Sequence, residues 1–267
     1  MRFSKWHGLG NEYIVLDARA FTEPVDETLA RRLCDPSTGI GSDGVLEVAR
    51  TEHGRAEVTI WNPDGSQAEL SGNGTRIVAR WLAREQQLKT VEIVVGERTV
   101  RAHMRGGLLV DQEMGSLDVG EIETIGLRDE SLEFTPVNIG NPHAVLRHDP
   151  SHAEVERLGP QIENHERFPS RTNVQLVRVD GMHELTVGVW ERGAGVTASS
   201  GTSACAAAGA GCAHGWVDSP VSVALPGGVL QVAIQQGRAV LTGPAQEICH
   251  GEVAAELLAD VGRSSAR

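Results

Sequence analysis

The sequence of 267 residues predicts an α+β protein made by duplicating one β-rich unit wrapped on a central helix. Three observations point there. Strand-like segments dominate both halves of the chain, helix-prone segments are few, and one pattern occurs twice at the same spacing. In TIWNPDGSQAELSGNGTRIVARWL a strand ending at Trp61 leads through a polar loop to Ser71-Gly72 and a helix. In VGVWERGAGVTASSGTSACAAAGAG a strand ending at Trp190 leads to Ser200-Gly201 and another helix. Ten residues separate the Trp from the Ser in both, and the order and flanking strands agree too. Chance likeness of two strand-loop-helix segments explains this less well than duplication.

In the first half, residues 11–17 (NEYIVLD), 56–62, 91–96 and 108–114 are rich in β-branched and aromatic residues and partly alternate. The second half repeats this at 173–180, 184–190, 221–225 and 230–235, with Pro226-Gly227-Gly228 as a turn between the last two. Residues 26–34 read as a helix capped by Asp26. Residues 76–86 read as a helix with Ile77, Val78, Trp81 and Leu82 on one side. Residues 204–216 carry almost only small side chains and no polar face, which suits a buried helix. The apolar pattern lapses over 115–135, so the expected lobes are 1–118 and 119–267.

Lys and Arg total 24 against 36 Asp and Glu, a net charge of -12. That balance argues against nucleic acid, which needs a basic face, and against an anionic membrane surface. No apolar run is long enough to cross a bilayer, and MRFSKWHGLGNEY lacks a signal-peptide core. Cys34, Cys205, Cys212 and Cys249 form no CxxC pair, and a chain of this size needs no staples, so a reducing cytoplasm is expected.

Two motifs carry little. GIGSDG (39–44) fits GxGxxG but precedes a strand rather than a helix, so no nucleotide site is expected. His148 and His152 in HDPSH lack a third ligand at a telling distance; a solvated helix start is the better reading, and no metal is expected. SGNGTR (71–76) and SGTSA (200–204) carry more. Each places Ser-Gly at the start of a buried helix, whose first N–H groups are unpaired and positive. Such ends grip a carboxylate. Capping explains the Ser, but the following Gly points to a close approach by something. Arg192, in the ERGAG stretch after a strand, has a fork suited to a carboxylate. NPDGS (62–66) holds the equivalent place in the first half, and NIGNPH (138–143) is another polar loop after a strand.

Together, KWHGLGNEYIVLD, NPDGSQAELSGNGTR, VNIGNPHAV, FPSRTNV and ERGAGVTASSGTSACAAAGAG resemble the diaminopimelate epimerase family in order and spacing, over residues 1 to about 245. The resemblance implies two pseudo-symmetric lobes, each a curled, mostly antiparallel sheet around a central helix, with an amino acid bound between them. It implies a cofactor-independent isomerase interconverting LL- and meso-diaminopimelate for lysine and cell-wall precursor synthesis. By match to the family's motifs, Asn11, Asn62, Asn141, Asn173, Glu191 and Arg192 are substrate-binding. Gly72, Asn73, Gly201 and Thr202 hold the reacting carboxylate, and His143 lies beside the site. The implied partners are a diaminopimelate-like amino acid and at most a second copy of the chain.

Two positions depart from the family. Ser71 and Ser200 stand where it carries its two acid/base cysteines, and they are the candidate catalytic residues here. Gly44 stands where some members carry a polar side chain. A thiol of pKa about 8.5 falls further at a helix start, whereas a serine hydroxyl is a far poorer base without an activating group. Slow or absent epimerisation with retained binding is therefore expected. A related racemase, dehydratase or double-bond isomerase using serines, or an inactive amino-acid-binding homologue, are the alternatives.

Overall fold

The computed structural model describes residues 1–21 and 24–259. Contacts divide the chain into two compact units, Met1–Val110 with Pro244–Arg267, and Asp111–Gly243.

The first unit runs β1 (Arg2–Gly8), β2 (Asn11–Asp17), α1 (Glu27–Cys34), β3 (Val45–Glu52), β4 (Arg55–Trp61), α2 (Gly72–Gln86), β5 (Thr90–Val95) and β6 (Arg98–Gly106). The pairings β1–β2, β3–β4 and β5–β6 are antiparallel; β2–β3 and β4–β5 are parallel. A parallel pair needs a crossover, and α1 and α2 supply the two. Alternation along β2 explains why NEYIVLD is apolar on consecutive residues. Tyr13 and Val15 join a core with Leu46, Ile60 and the α2 residues Ile77, Trp81 and Leu82. Ile14 and Leu16 point to the opposite face and pack with Leu29 and Leu33 of α1. Side chains from one strand thus reach both helices, and Tyr13 falls on the α2 side.

The second unit continues with β7 (Leu109–Ser116), which crosses the division, then β8 (Asp118–Val119), β9 (Glu123–Gly126), β10 (Ser131–Asn138), β11 (Pro142–Arg147) and α3 (His152–Glu163). Next come β12 (Asn173–Gly181), β13 (Glu184–Glu191), β14 (Gly195–Val196), α4 (Gly201–Ala213), β15 (Val221–Leu225), β16 (Gly228–Gln235) and β17 (Arg238–Pro244). The pairings β10–β11, β12–β13 and β15–β16 are antiparallel, and β11–β12 and β13–β15 are parallel, with α3 and α4 as crossovers. The order of orientations repeats that of the first unit strand for strand. A small detail repeats as well: Trp61 bridges to Gln67, and Trp190 pairs with Val196. Helix α4 is buried from Gly201 to Gly211. At Gly211 a Cβ would stand 2.8 Å from Val217 Cγ2, which shows how closely its surroundings approach.

The chain then returns. β18 (Gln246–Glu252) pairs antiparallel with β1 in the first unit, followed by α5 (Ala255–Ala259). The expected lobes of 1–118 and 119–267 differ from these units at both places. The chain passes between units at Val110/Asp111, and from Pro244 onward it belongs to the first. The ladder between β1 and β18 is the cause, because it ties the end of the chain to its beginning. Among the described residues, no helix is long and apolar enough to cross a membrane.

Candidate active site

The first unit gathers its candidates at the start of α2. Ser71 caps that helix with extended backbone, and its Oγ accepts from Gly74 N–H at 3.0 Å. The Tyr13 hydroxyl lies 3.0 Å from the same Oγ. Gly72 and Asn73 follow in the first turn, where amides lack helical partners. Asn73 Nδ2 donates to Asn11 Oδ1 at 3.3 Å, and Asn11 Nδ2 donates to Asp43 Oδ2 at 2.9 Å. Behind Asn73 stands Arg76, with no solvent exposure. Its Nη2 donates to Asn73 Oδ1 at 2.7 Å and its Nε to Pro244 O at 2.9 Å. Asn62 ends up in the NPDGS turn, where its Nδ2 donates to Ser66 Oγ at 3.0 Å. Gly44 has a steric duty: a Cβ there would lie 2.6 Å from Trp61 O and 2.8 Å from the Tyr13 ring.

The second unit joins its candidates more tightly. Ser200 caps α4, with Ser203 N–H 3.4 Å from its Oγ, and it donates to Glu191 Oε2 at 3.2 Å. Gly201 and Thr202 form the first turn and are buried. Desolvation raises the Glu191 carboxyl above the usual carboxylate range, while the Thr197 and Ser200 hydroxyls pull it down. Asn173 is the next link. Its Oδ1 accepts from Arg192 N–H at 3.0 Å and its Nδ2 donates to Pro142 O at 2.8 Å. His143 pairs in register with Asn173 across β11 and β12, and its Nε2 lies 3.1 Å from Asn141 Oδ1. Burial drives the His143 imidazole down to about 3, so it is neutral at ordinary pH. The Arg192 guanidinium reaches Ser170 O at 3.4 Å.

Sequence reasoning missed four supporting residues. Tyr13 looked like one more apolar residue of a strand. Asp43 sat in a discarded glycine-rich match. Arg76 looked like an ordinary helix arginine. Glu163 ends α3, and its carboxylate accepts from Trp190 Nε1 at 2.7 Å and Gly193 N–H at 2.9 Å. It thereby holds the turn that carries Glu191 and Arg192. The set-aside histidines have local partners, His148 on Glu154 at 2.8 Å and His152 on Glu156 at 3.4 Å.

Each unit therefore presents a buried helix start capped by a serine, amide donors, asparagines and a second polar group bonded to the serine. The diaminopimelate epimerase family model matches residues 3–119 and 135–248. Diaminopimelate epimerase of Moorella thermoacetica is 38% identical, over 94% of this chain and 99% of that protein. That of Ectopseudomonas mendocina is 37% identical, over 95% and 99%. This chain belongs to the diaminopimelate epimerase family. The solved structure of a hydroxyproline epimerase from Agrobacterium vitis superposes with a TM-score of 0.70 at 16% identity, covering 95% of this chain and 90% of that one. A methylitaconate-delta-isomerase does so with a TM-score of 0.65 at 13% identity, covering 95% of each. At those identities the likeness is one of fold.

Proposed function

We propose that this chain is a cofactor-independent isomerase of the cytoplasm that binds a diaminopimelate-class amino acid and moves its α-proton slowly. Two serine-capped helix starts carry the reading. Each unit has helix-start amides, Gly72-Asn73 in the first and Gly201-Thr202 in the second, of the kind that stabilise a carboxylate as charge builds on the adjacent carbon. Asn11, Asn62, Asn141, Asn173 and Arg192 supply polar groups for the remainder of the ligand. His143, neutral and deep, fixes Asn141 rather than carrying charge. Ser71 and Ser200 are the proton-handling groups, and their weakness as bases sets the rate. Neither metal nor pyridoxal phosphate is needed for binding, because the anion-holding groups belong to the chain.

The test is proton–deuteron exchange at the α-carbon of LL-diaminopimelate, followed by NMR. The parent protein should exchange slowly. Joint Ser71→Cys and Ser200→Cys should raise the rate by about a hundredfold or more, since each positioned acid or base contributes about 10²–10⁴. Either single change should give much less. Tight binding with an inert double variant would move the assignment to another reaction. Glu191 favours one in particular: a carboxylate behind Ser200 also suits a single-base proton shift, as in a double-bond isomerase or dehydratase.

A further inference from the structure

We propose that the two serines are wired with opposite hydrogen-bond polarity, so that Ser71, backed by Tyr13, gives a proton and Ser200, backed by Glu191, takes one. The use of this wiring rests on the proton-shuttling function proposed above; its geometry does not.

A hydroxyl has one O–H and two lone pairs. At Ser200 the O–H points to Glu191 Oε2, 3.2 Å away, because a carboxylate only accepts. Ser203 N–H approaches one lone pair at 3.4 Å. The second lone pair is what remains. Ser200 can receive a proton there while passing its own to Glu191, whose desolvated carboxyl holds a proton better than an exposed one.

Ser71 is arranged the other way. Gly74 N–H takes one lone pair at 3.0 Å, and Tyr13 lies 3.0 Å from the same oxygen. A phenol, of ordinary pKa about 10, is a stronger donor and weaker acceptor than an aliphatic hydroxyl. Tyr13 therefore donates and Ser71 accepts. Both lone pairs are then occupied, and the O–H of Ser71 is its free end. Tyr13 reaches this oxygen because alternation along β2 turns it to the α2 face, where its side chain is buried.

Protons balance over the cycle. At Ser200 the substrate C–H bond breaks; its proton goes to Oγ as the serine proton goes to Glu191, and the electron pair stays on carbon. At Ser71 the O–H proton joins a substrate carbanion to make a C–H bond, and the Tyr13 proton moves to Oγ, leaving a phenolate. Water takes the proton from Glu191 and returns one to Tyr13 after release. The reverse reaction needs the opposite charge state, so the resting protein favours proton removal at Ser200.

Thiol probes test the wiring on the substrate-free protein. Ser71→Cys and Ser200→Cys are made separately, and alkylation by iodoacetamide is followed peptide by peptide against pH, with exposed Cys249 as internal reference. Adding Tyr13→Phe to Ser71→Cys removes a donor and should slow alkylation at pH 7 by about tenfold, one pKa unit. Adding Glu191→Gln to Ser200→Cys removes a negative neighbour and should speed it by about as much. Opposite signs are the signature. Merely loosening the packing exposes both thiols and speeds both, so equal signs, or a change under about twofold at either position, overturn the proposal. Correct signs without diaminopimelate exchange would sink the substrate assignment alone. Exchange without the signs would sink the wiring alone.

Discussion

Replacing Glu163 should cost both stability and ligand binding, although the residue stands outside the candidate catalytic pair. It is 4% exposed and accepts three hydrogen bonds. Two come from donors fixed by the fold, Trp190 Nε1 and Gly193 N–H, and bonds to a charged group contribute about 1.5–3 kcal/mol each. The third, from half-exposed Arg171 at 3.2 Å, contributes about 0–1 kcal/mol because solvent screens it. Glu163→Ala should therefore lose about 3–6 kcal/mol, part of which entering water can restore. Glu163→Gln keeps an acceptor for the indole but turns an NH2 group toward the Gly193 amide, so about half that loss is expected. At about 2–4 °C per kcal/mol, melting by calorimetry should fall by about 10 °C for Ala and about 5 °C for Gln. Diaminopimelate affinity, measured well below melting, should fall as well, since the turn carries Glu191 and Arg192. A Gln variant that melts within about 1 °C of the parent and binds equally would show that Glu163 does not hold this turn.

Three further outcomes are expected. Arg192→Ala should weaken diaminopimelate binding by about 2–5 kcal/mol, while affinity for an analogue lacking the distal carboxylate should change little; calorimetry with both ligands decides it. His143 has a folded pKa of about 3, below the unfolded value of about 6.5, so the unfolded chain binds the extra proton first. Its stabilising contribution is present above pH 6.5 and is lost as pH falls toward 3, at up to about 1.4 kcal/mol per pH unit. Urea titrations at pH 7, 6 and 5 should show a shallower decline for His143→Gln, and parallel declines would refute this. Gly8→Ala would place a Cβ 2.7 Å from Arg76 Nη2, the atom that donates to Asn73. It should cost about 1–3 kcal/mol in urea unfolding and loosen binding; a neutral result would mean that Arg76 moves without consequence.

The parts of the fold that were legible share a cause: their patterns are local. NEYIVLD, ELTVGVW and the small-residue run of α4 each show their burial in their own composition, and the repeated Trp-to-Ser spacing exposed the duplication. β1 escaped because RFSKWHG turns Ser4, Trp6 and Gly8 inward, and only Trp6 among them is bulky and apolar. The apolar face of α2 was read over 76–86 and its start from the Ser71-Gly72 motif, although Gly72, Asn73 and Gly74 are poor helix formers, held there by the Ser71 cap and tight surroundings. The small-residue stretch read over 204–216 lies in a helix that starts at the Ser200-Gly201 motif and runs Gly201–Ala213. The two serines and their helix starts came from motif and spacing. What stands behind them did not, because Tyr13 to Ser71 and Glu163 to Trp190 are tertiary contacts with no mark in either segment.

The pairing of β1 with β18 bears on how the molecule is made. The first unit is discontinuous: Arg2 faces Glu252 in the ladder, and Ala245 contributes to the same core as Trp6. Residues 111–243 form an uninterrupted stretch that leaves the ribosome before β18 does. Domains ordinarily mature in the order of synthesis, the N-terminal one first. Here the sequence of events is inverted. The earlier-made unit must wait with an open edge on β1 and part of its core unfilled, while the later-made one can finish. A released chain truncated after residue 243 should thus resist protease in its second half and yield in its first, which makes β18 a clasp that closes the oldest part of the molecule last.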